Sequence, residues 1–286
     1  MSKVKIFADS TCDLSRDLIE SNDISIVPLY VGFNENTYKD GVEISTKELY
    51  EKVKEYNKLP KTSAPSPLDF INAFKPFVEE GRDIIYIGLS SKLSSTLQNA
   101  KIAASEFPNA KIEVVDSYNL STGIGLLVMK AVDLAKENLG VEEIAEKIRE
   151  LVPKVETAFV PDTLDYLHKG GRCTALQAIM GSMLKIRPII KVVDGGMIVG
   201  QKARGKREKI LETMLENAIK DKDNMDKKRV FVTHAQGPED AMFLKKRLEE
   251  VLDVEEILIT DAGCVISSHC GPNTVGILYI LNEQKK

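Results

Sequence analysis

Along the first half of the chain, short apolar runs alternate with segments whose apolar residues recur every three or four positions. Lys3 to Ala8, Ile24 to Val31, Asp83 to Gly88 (DIIYIG) and the KIEVVD run ending at Asp116 read as strands. The nearly unbroken apolar character of DIIYIG is that of a strand covered on both faces of a parallel sheet. Ser45 with Glu48 three residues later forms a capping-box signature for a helix to about Tyr56. Ser66-Pro67 supplies a cap and a first-turn proline, and the spacing of Phe70, Phe74 and Phe77 puts three rings on one helical face. Further helices are predicted for about a dozen residues from Ser95, from near Thr122, and from Val141 to about Leu151, after which Pro153 marks a boundary.

The second half reads differently. VETAFVP is a strand pattern, Asp162 is placed to cap a short helix ending at His168, and Lys169 to Arg172 (KGGR) is a flexible basic turn. Ala175 to Ile186 predicts an apolar helix. Pro188 to Val193 and Met197 to Ala203 flank Asp194-Gly195-Gly196, which predicts a β-hairpin. There follow a charged helix from Lys206, the strand RVFVTHA, a helix from Pro238, the strand EEILITD, a Gly- and Ser-containing turn through His269, and a last strand from Thr274 to Leu281. The expected fold class is α/β, with a parallel-sheet N-terminal domain (residues 1–154) and a smaller α+β C-terminal domain (residues 155–286) built on a mixed sheet.

Composition narrows the function classes. A chain of 286 residues with 43% hydrophobic residues supports a substantial core. Its 39 basic and 43 acidic residues leave a net charge of −4, so no overall field favours nucleic acid. The amino terminus enters a strand pattern directly and no apolar run reaches membrane-spanning length, which predicts a cytoplasmic protein. Cys12, Cys173, Cys264 and Cys270 lack CxxC spacing and are expected to be reduced thiols. Cys264, His269 and Cys270 match no zinc pattern, so no metal is expected. Neither a Walker A loop nor GxGxxG occurs; Gly123-Ile124-Gly125 lacks the third glycine and lies in a predicted helix.

Three hydroxyl-rich patches fall where predicted strands end: Asp9-Ser10-Thr11, Thr62-Ser63 in TSAPSP, and LSSKLSSTLQ from Leu89 to Gln98. In an open α/β sheet these chain segments line the ligand crevice, and hydroxyls and backbone amides there suit a carboxylate or phosphate. Ser94-Ser95-Thr96 precedes a helix whose positive end would add to such a site, although an N-cap alone accounts for one hydroxyl. Thr62-Ser63 also fits ordinary loop chemistry ahead of Pro65 and Pro67. Arg172 follows two glycines, where a guanidinium reaches an anionic head group, and His269 sits among small residues in SSHCGPN. A Ser94 and His269 pair suggests a hydrolase, but the GxSxG elbow and an evident orienting acid are missing. The basic run GKREKI reads as a solvated helix face.

As an ordered set, DSTCDL (Asp9 to Leu14), KTSAPSP (Lys61 to Pro67), LSSKLSSTLQNA (Leu89 to Ala100), VVDS (Val114 to Ser117), LHKGGR (Leu167 to Arg172), KIRPII (Lys185 to Ile190) and HCGPN (His269 to Asn273) resemble the DegV family, and within it the FakB subunits of bacterial fatty acid kinase. The resemblance implies two domains with a long-chain fatty acid buried between them, its carboxylate held by Thr62 and Ser94 within a cluster that includes Ser63, Ser95 and Thr96. The family's arginine and histidine fall at Arg172 and His269. Ser95 stands where the family usually has glycine. The implied role is non-catalytic and needs no cofactor. The bound carboxylate would be presented to a separate ATP-binding fatty acid kinase subunit, and the acyl phosphate carried to an acyltransferase of phospholipid synthesis, with transient membrane contact left open. The alternatives are a serine-dependent acyl hydrolase and a binder of another amphiphile.

Overall fold

The computed structural model describes residues 3–173, 187–203 and 205–285. The helix expected over Ala175 to Ile186 lies outside the described residues. Strands β1 (Val4–Asp9), β2 (Ile24–Val27), β6 (Asp83–Gly88) and β7 (Ile112–Asp116) form a wholly parallel sheet in the order β2-β1-β6-β7. The chain leaves β1 toward one edge and β6 toward the other, so the crevice at their carboxyl ends is the topological switch point. Helices α3 (Pro67–Glu79) and α4 (Thr96–Ser105) cover one face. The capping boxes at Ser45, which opens α2 (Thr46–Tyr56), and at Ser66, which opens α3, are both formed. The α3 rings do what their spacing predicts: Phe70 and Phe74 are fully buried, and Phe7 meets Phe74 and Phe77 edge-on at 5.0 and 5.4 Å.

The run Ile24 to Val31 does not form one strand. It breaks at Pro28, which has no N–H for a ladder. The chain resumes as β3 (Tyr30–Phe33) in a separate antiparallel sheet with β4 (Asn36–Lys39) and β5 (Lys61–Ser63), in the order β4-β3-β5.

Helices α5 (Thr122–Lys136) and α6 (Val141–Leu151) cover the other face of the parallel sheet. Helix α5 is buried nearly all round, because its far side packs on a second, six-stranded sheet. That sheet runs β10-β9-β8-β13-β11-β12, with β8 (Val155–Val160), β9 (Arg187–Val193), β10 (Gly196–Ala203), β11 (Met225–Ala235), β12 (Glu256–Asp261) and β13 (Thr274–Leu281). Only β11 and β12 pair in parallel, so the sheet is mixed. Gly125 explains itself in α5: a Cβ there would sit 2.9 Å from both the Cys12 carbonyl and a Leu14 methyl. The glycines of this helix serve close packing.

The remaining α-helices among the described residues are α1 (Arg16–Ser21), α7 (Asp165–Gly170), α8 (Arg207–Ile219), α9 (Pro238–Glu249) and α10 (Cys264–Cys270). Two differ from expectation. Helix α7 begins at Asp165 rather than being capped by Asp162, with the Asp165 N–H donating to the Thr163 hydroxyl at 3.0 Å, while Asp162 lies 3.7 Å from Arg207. The segment read as a turn through His269 is helix α10. Its first N–H groups, at Gly263, Cys264 and Val265, donate to carboxylates of Asp13 and Asp40, more than two hundred residues away in sequence. A cap supplied from that distance leaves no local signature. Nor is Arg207 a solvated residue of a basic face: its guanidinium donates to Asp240 and to the Asn273 carbonyl.

Candidate functional site

A cavity of about 300 Å³ opens between the segments that follow β2, β6 and β7, strand β5, helix α10 and the six-stranded sheet. Its apolar walls include Leu29, Leu93, Leu120, Phe159, Leu167 and Ile266. Its polar lining brings together Thr62, Ser63, Ser94, Ser95, Arg172 and His269, six residues from four separate chain segments. Leu120, Phe159, Ile266 and Cys270 also line a second chamber of about 40 Å³.

Each polar residue is placed by identifiable backbone chemistry. Thr62 lies in β5 opposite Val31, and its hydroxyl is 2.8 Å from Nε2 of His269 on α10. Burial, reinforced by the positive charge of Arg172, pushes the His269 pKa down to about 4, so the imidazole is neutral at physiological pH. Nδ1 is buried and has no hydrogen-bond partner among the described residues. Gly170 backs onto it, since a Cβ there would lie 2.5 Å from Nδ1. An N–H left without an acceptor is the costlier orphan, so the proton belongs on Nε2, donated to Thr62. The Thr62 hydroxyl proton is then free to point at an acceptor in the cavity. Arg172 follows Gly171, which ends α7 with φ +68°, and donates to the Gly170 carbonyl at 2.8 Å while remaining exposed.

On the opposite side, Ser94 Oγ is 2.8 Å from Thr96 Oγ1 and accepts from the Thr96 N–H at 3.3 Å. Ser95 is the N-cap of α4 but its own side chain makes no capping hydrogen bond, so the first amide of the helix is met by Ser94 instead. The positive end of the α4 dipole therefore lies directly beside the Ser94 and Ser95 hydroxyls. The loop is held from beneath by Asp9 at the end of β1. This fully buried carboxylate accepts from the Leu89 N–H at 2.8 Å, the Tyr86 hydroxyl at 2.7 Å and the Thr11 N–H at 3.0 Å, and burial raises its pKa.

Not every hydroxyl patch reaches the cavity. Ser10 bonds Asp40 and the Leu29 N–H, and Thr11 turns back on Asp9. Thr96 is fully buried behind Ser94. Ser90, also fully buried, donates at 2.7 Å to the carbonyl of Gly195 at the tip of the β9-β10 hairpin, and so ties down the hairpin that brings Met197 to the wall. The sequence marked Asp9 and Asp13 only as members of the DSTCDL run, without an organising role, and missed Asp40, Phe159 and Leu120, whose roles depend on partners distant in the chain. The hydrogen bonding also separates Ser94 from His269: the histidine engages Thr62 and the serine engages Thr96.

The fold and site define an α/β protein with a largely apolar cavity whose lining includes a small set of hydroxyl, imidazole and guanidinium groups. The chain belongs to the DegV family: the model of that family of uncharacterised proteins matches residues 3–282. A DegV domain-containing protein of Caldanaerobacter subterraneus subsp. tengcongensis is 34% identical over 282 residues, covering 98% of this chain and 99% of the relative. Among solved structures, a fatty-acid-binding DegV family protein from Thermus thermophilus superposes with a TM-score of 0.91 at 32% identity, over 97% of this chain and 99% of that one. A stearic-acid-binding protein from Eubacterium ventriosum gives 0.88 at 30% identity, over 98% of each chain. DegV of Bacillus subtilis, a fatty acid binding protein, gives 0.87 at 29% identity, over 98% of this chain and all of that one. Among the described residues no helix is long and apolar enough to cross a membrane.

Proposed function

We propose that this protein is a carrier that holds a long-chain fatty acid with its carboxylate at Thr62 and Ser94. The observation that carries the reading is the mixed lining of the cavity, mostly apolar side chains with the hydroxyls of Thr62, Ser63, Ser94 and Ser95 and the imidazole of His269 among them. At about 0.8 kcal/mol per buried methylene, a long tail contributes on the order of 10 kcal/mol gross, enough to offset much of the cost of association. The hydroxyls then orient more than they bind. Thr62, freed by the Nε2–H of His269, and Ser94 donate to the carboxylate, Ser63 and Ser95 flank it, Thr96 steadies Ser94, and Arg172 lies over the exposed side. The similarity to fatty-acid-binding structures at around 30% identity supports the same reading.

The exposed Arg172 side suggests presentation of the carboxylate to a separate ATP-binding kinase subunit. There the carboxylate oxygen would attack the γ-phosphorus, ADP would leave, and this chain would carry the acyl phosphate to an acyltransferase of phospholipid synthesis. A cavity with mostly apolar walls suits a hydrolytically labile product. Native mass spectrometry of freshly purified protein, followed by solvent extraction, tests the carrier step: a stoichiometric long-chain fatty acid is expected. An empty protein that takes up no added fatty acid overturns it. ADP formation by the kinase subunit that depends on the loaded carrier tests presentation.

A further inference from the structure

Helix α10 carries Val265, Ile266, His269 and Cys270 to the cavity, yet its start is not fixed by its own neighbours in sequence. Two buried carboxylates from the other end of the chain hold it. Asp13, in the left-handed conformation (φ 50°) after the 3-10 turn that follows β1, accepts from the Gly263 N–H at 2.8 Å and from the Ser121 hydroxyl at 2.5 Å. Asp40, after β4, accepts from the Cys264 N–H at 2.8 Å, the Val265 N–H at 3.3 Å and the Ser10 hydroxyl at 2.9 Å. Both carboxyl groups are almost fully buried, at 5% and 2% exposure, and among the described residues their partners are hydroxyls, backbone N–H groups and, for Asp40, the Cys264 thiol rather than a cation. Burying a carboxyl group on those terms is costly and raises its pKa, so an arrangement that does it twice around one helix end calls for a reason.

We propose that Asp13 and Asp40 are positioning residues for the head-group site: by clamping the first turn of α10 they set the His269 imidazole against Thr62. The geometry is tight enough for the task. A Cβ on Gly263 would lie 3.2 Å from Asp13 and 3.3 Å from Asp40, so the two carboxylates straddle a backbone that only glycine leaves bare. The side-chain oxygens of both residues accept from the N-terminal amides at the positive end of the short helix, where acceptors are favoured. Asp13 links the same point to Ser121, the N-cap of α5, so the clamp joins the Asp13 turn to two segments that line the cavity through Leu120 and through α10.

The proposal rests on the head-group reading for its meaning, but its test does not require fatty acid to be the ligand. In the full-length protein, D13A, D40A and G263A are compared with wild type by the NMR titration of His269 and by affinity for a long-chain fatty acid. G263A keeps every hydrogen-bonding group and, with φ −63° at that position, an ordinary backbone, so it guards against loss of fold in the aspartate variants. L215A, in the separate core of the six-stranded sheet, controls for simple destabilisation. The expected result is that the His269 pKa moves up from about 4 toward 6.5 in the clamp variants and stays in place in L215A. Fatty-acid affinity is expected to fall about tenfold or more, with D40N, which keeps one acceptor oxygen, less impaired than D40A. Unchanged His269 titration in folded D40A and G263A overturns the clamp. A moved titration together with no fatty-acid binding by wild type leaves the clamp standing and overturns the carrier reading.

Discussion

The lowered pKa of His269 is a statement about stability as well as protonation. As pH falls, the unfolded chain takes up a proton near 6.5, whereas the folded protein resists until about 4. The folded state therefore binds fewer protons over that interval, and the stability associated with the neutral, buried ring is intact above the unfolded value and is lost as pH falls toward the folded one. At about 1.4 kcal/mol per pH unit, the difference amounts to on the order of 3 kcal/mol. Asp9, Asp13 and Asp40 act in the opposite sense. Burial raises their pKa values, so each favours the folded state at low pH and loses that contribution as pH rises through its folded value. The wild-type curve alone mixes both signs. Subtracting the urea-unfolding free energies of H269Q, in which the side-chain amide retains a partner for Thr62 and does not titrate, isolates the histidine. The difference curve is expected to fall by on the order of 3 kcal/mol between neutral pH and about 4 and to level off below. A flat difference curve would refute the argument that His269 is held neutral by burial against Gly170 and Arg172.

The same site gives three further expectations. Thr62→Val leaves His269 Nε2 without its hydroxyl, costs about 1–3 kcal/mol of stability and, with Ser94→Ala, accelerates fatty-acid release; unchanged occupancy in both variants would remove the carboxylate site from this cluster. Gly170→Ala puts a methyl group 2.5 Å from Nδ1 and should displace the ring from Thr62, read as a shifted His269 titration in a folded protein; a wild-type titration curve counts against that packing. Arg172→Ala removes the charge that helps keep His269 neutral, so the His269 pKa should rise while the fold persists. In a reconstituted kinase assay that variant should be impaired, and wild-type turnover would exclude Arg172 from the transfer geometry.

Much of the fold was legible because its signals are local. The capping boxes at Ser45 and Ser66, the apolar run of β6, the 3.6-residue spacing of Phe70, Phe74 and Phe77, and the Asp194-Gly195 turn each follow from conformational preferences within a few residues. Thr62, Ser94, Arg172 and His269 were also legible as candidates, since strand ends and glycine turns announce where side chains have room for a ligand. Their assembly into one cavity was not. Nothing in the sequence sets Thr62 opposite His269, 207 residues away, or Ser90 against the tip of the β9-β10 hairpin, or distinguishes Ser94 at the cavity from Thr96 behind it. Helix α10 is the clearest case: glycine and serine argue locally for a turn, and two distant carboxylates overrule them by satisfying its first amides. Local propensity fixes elements worth fractions of a kcal/mol per residue. Long-range packing and buried hydrogen bonds, worth more at each contact, decide which of those elements close around the cavity and what each polar side chain faces.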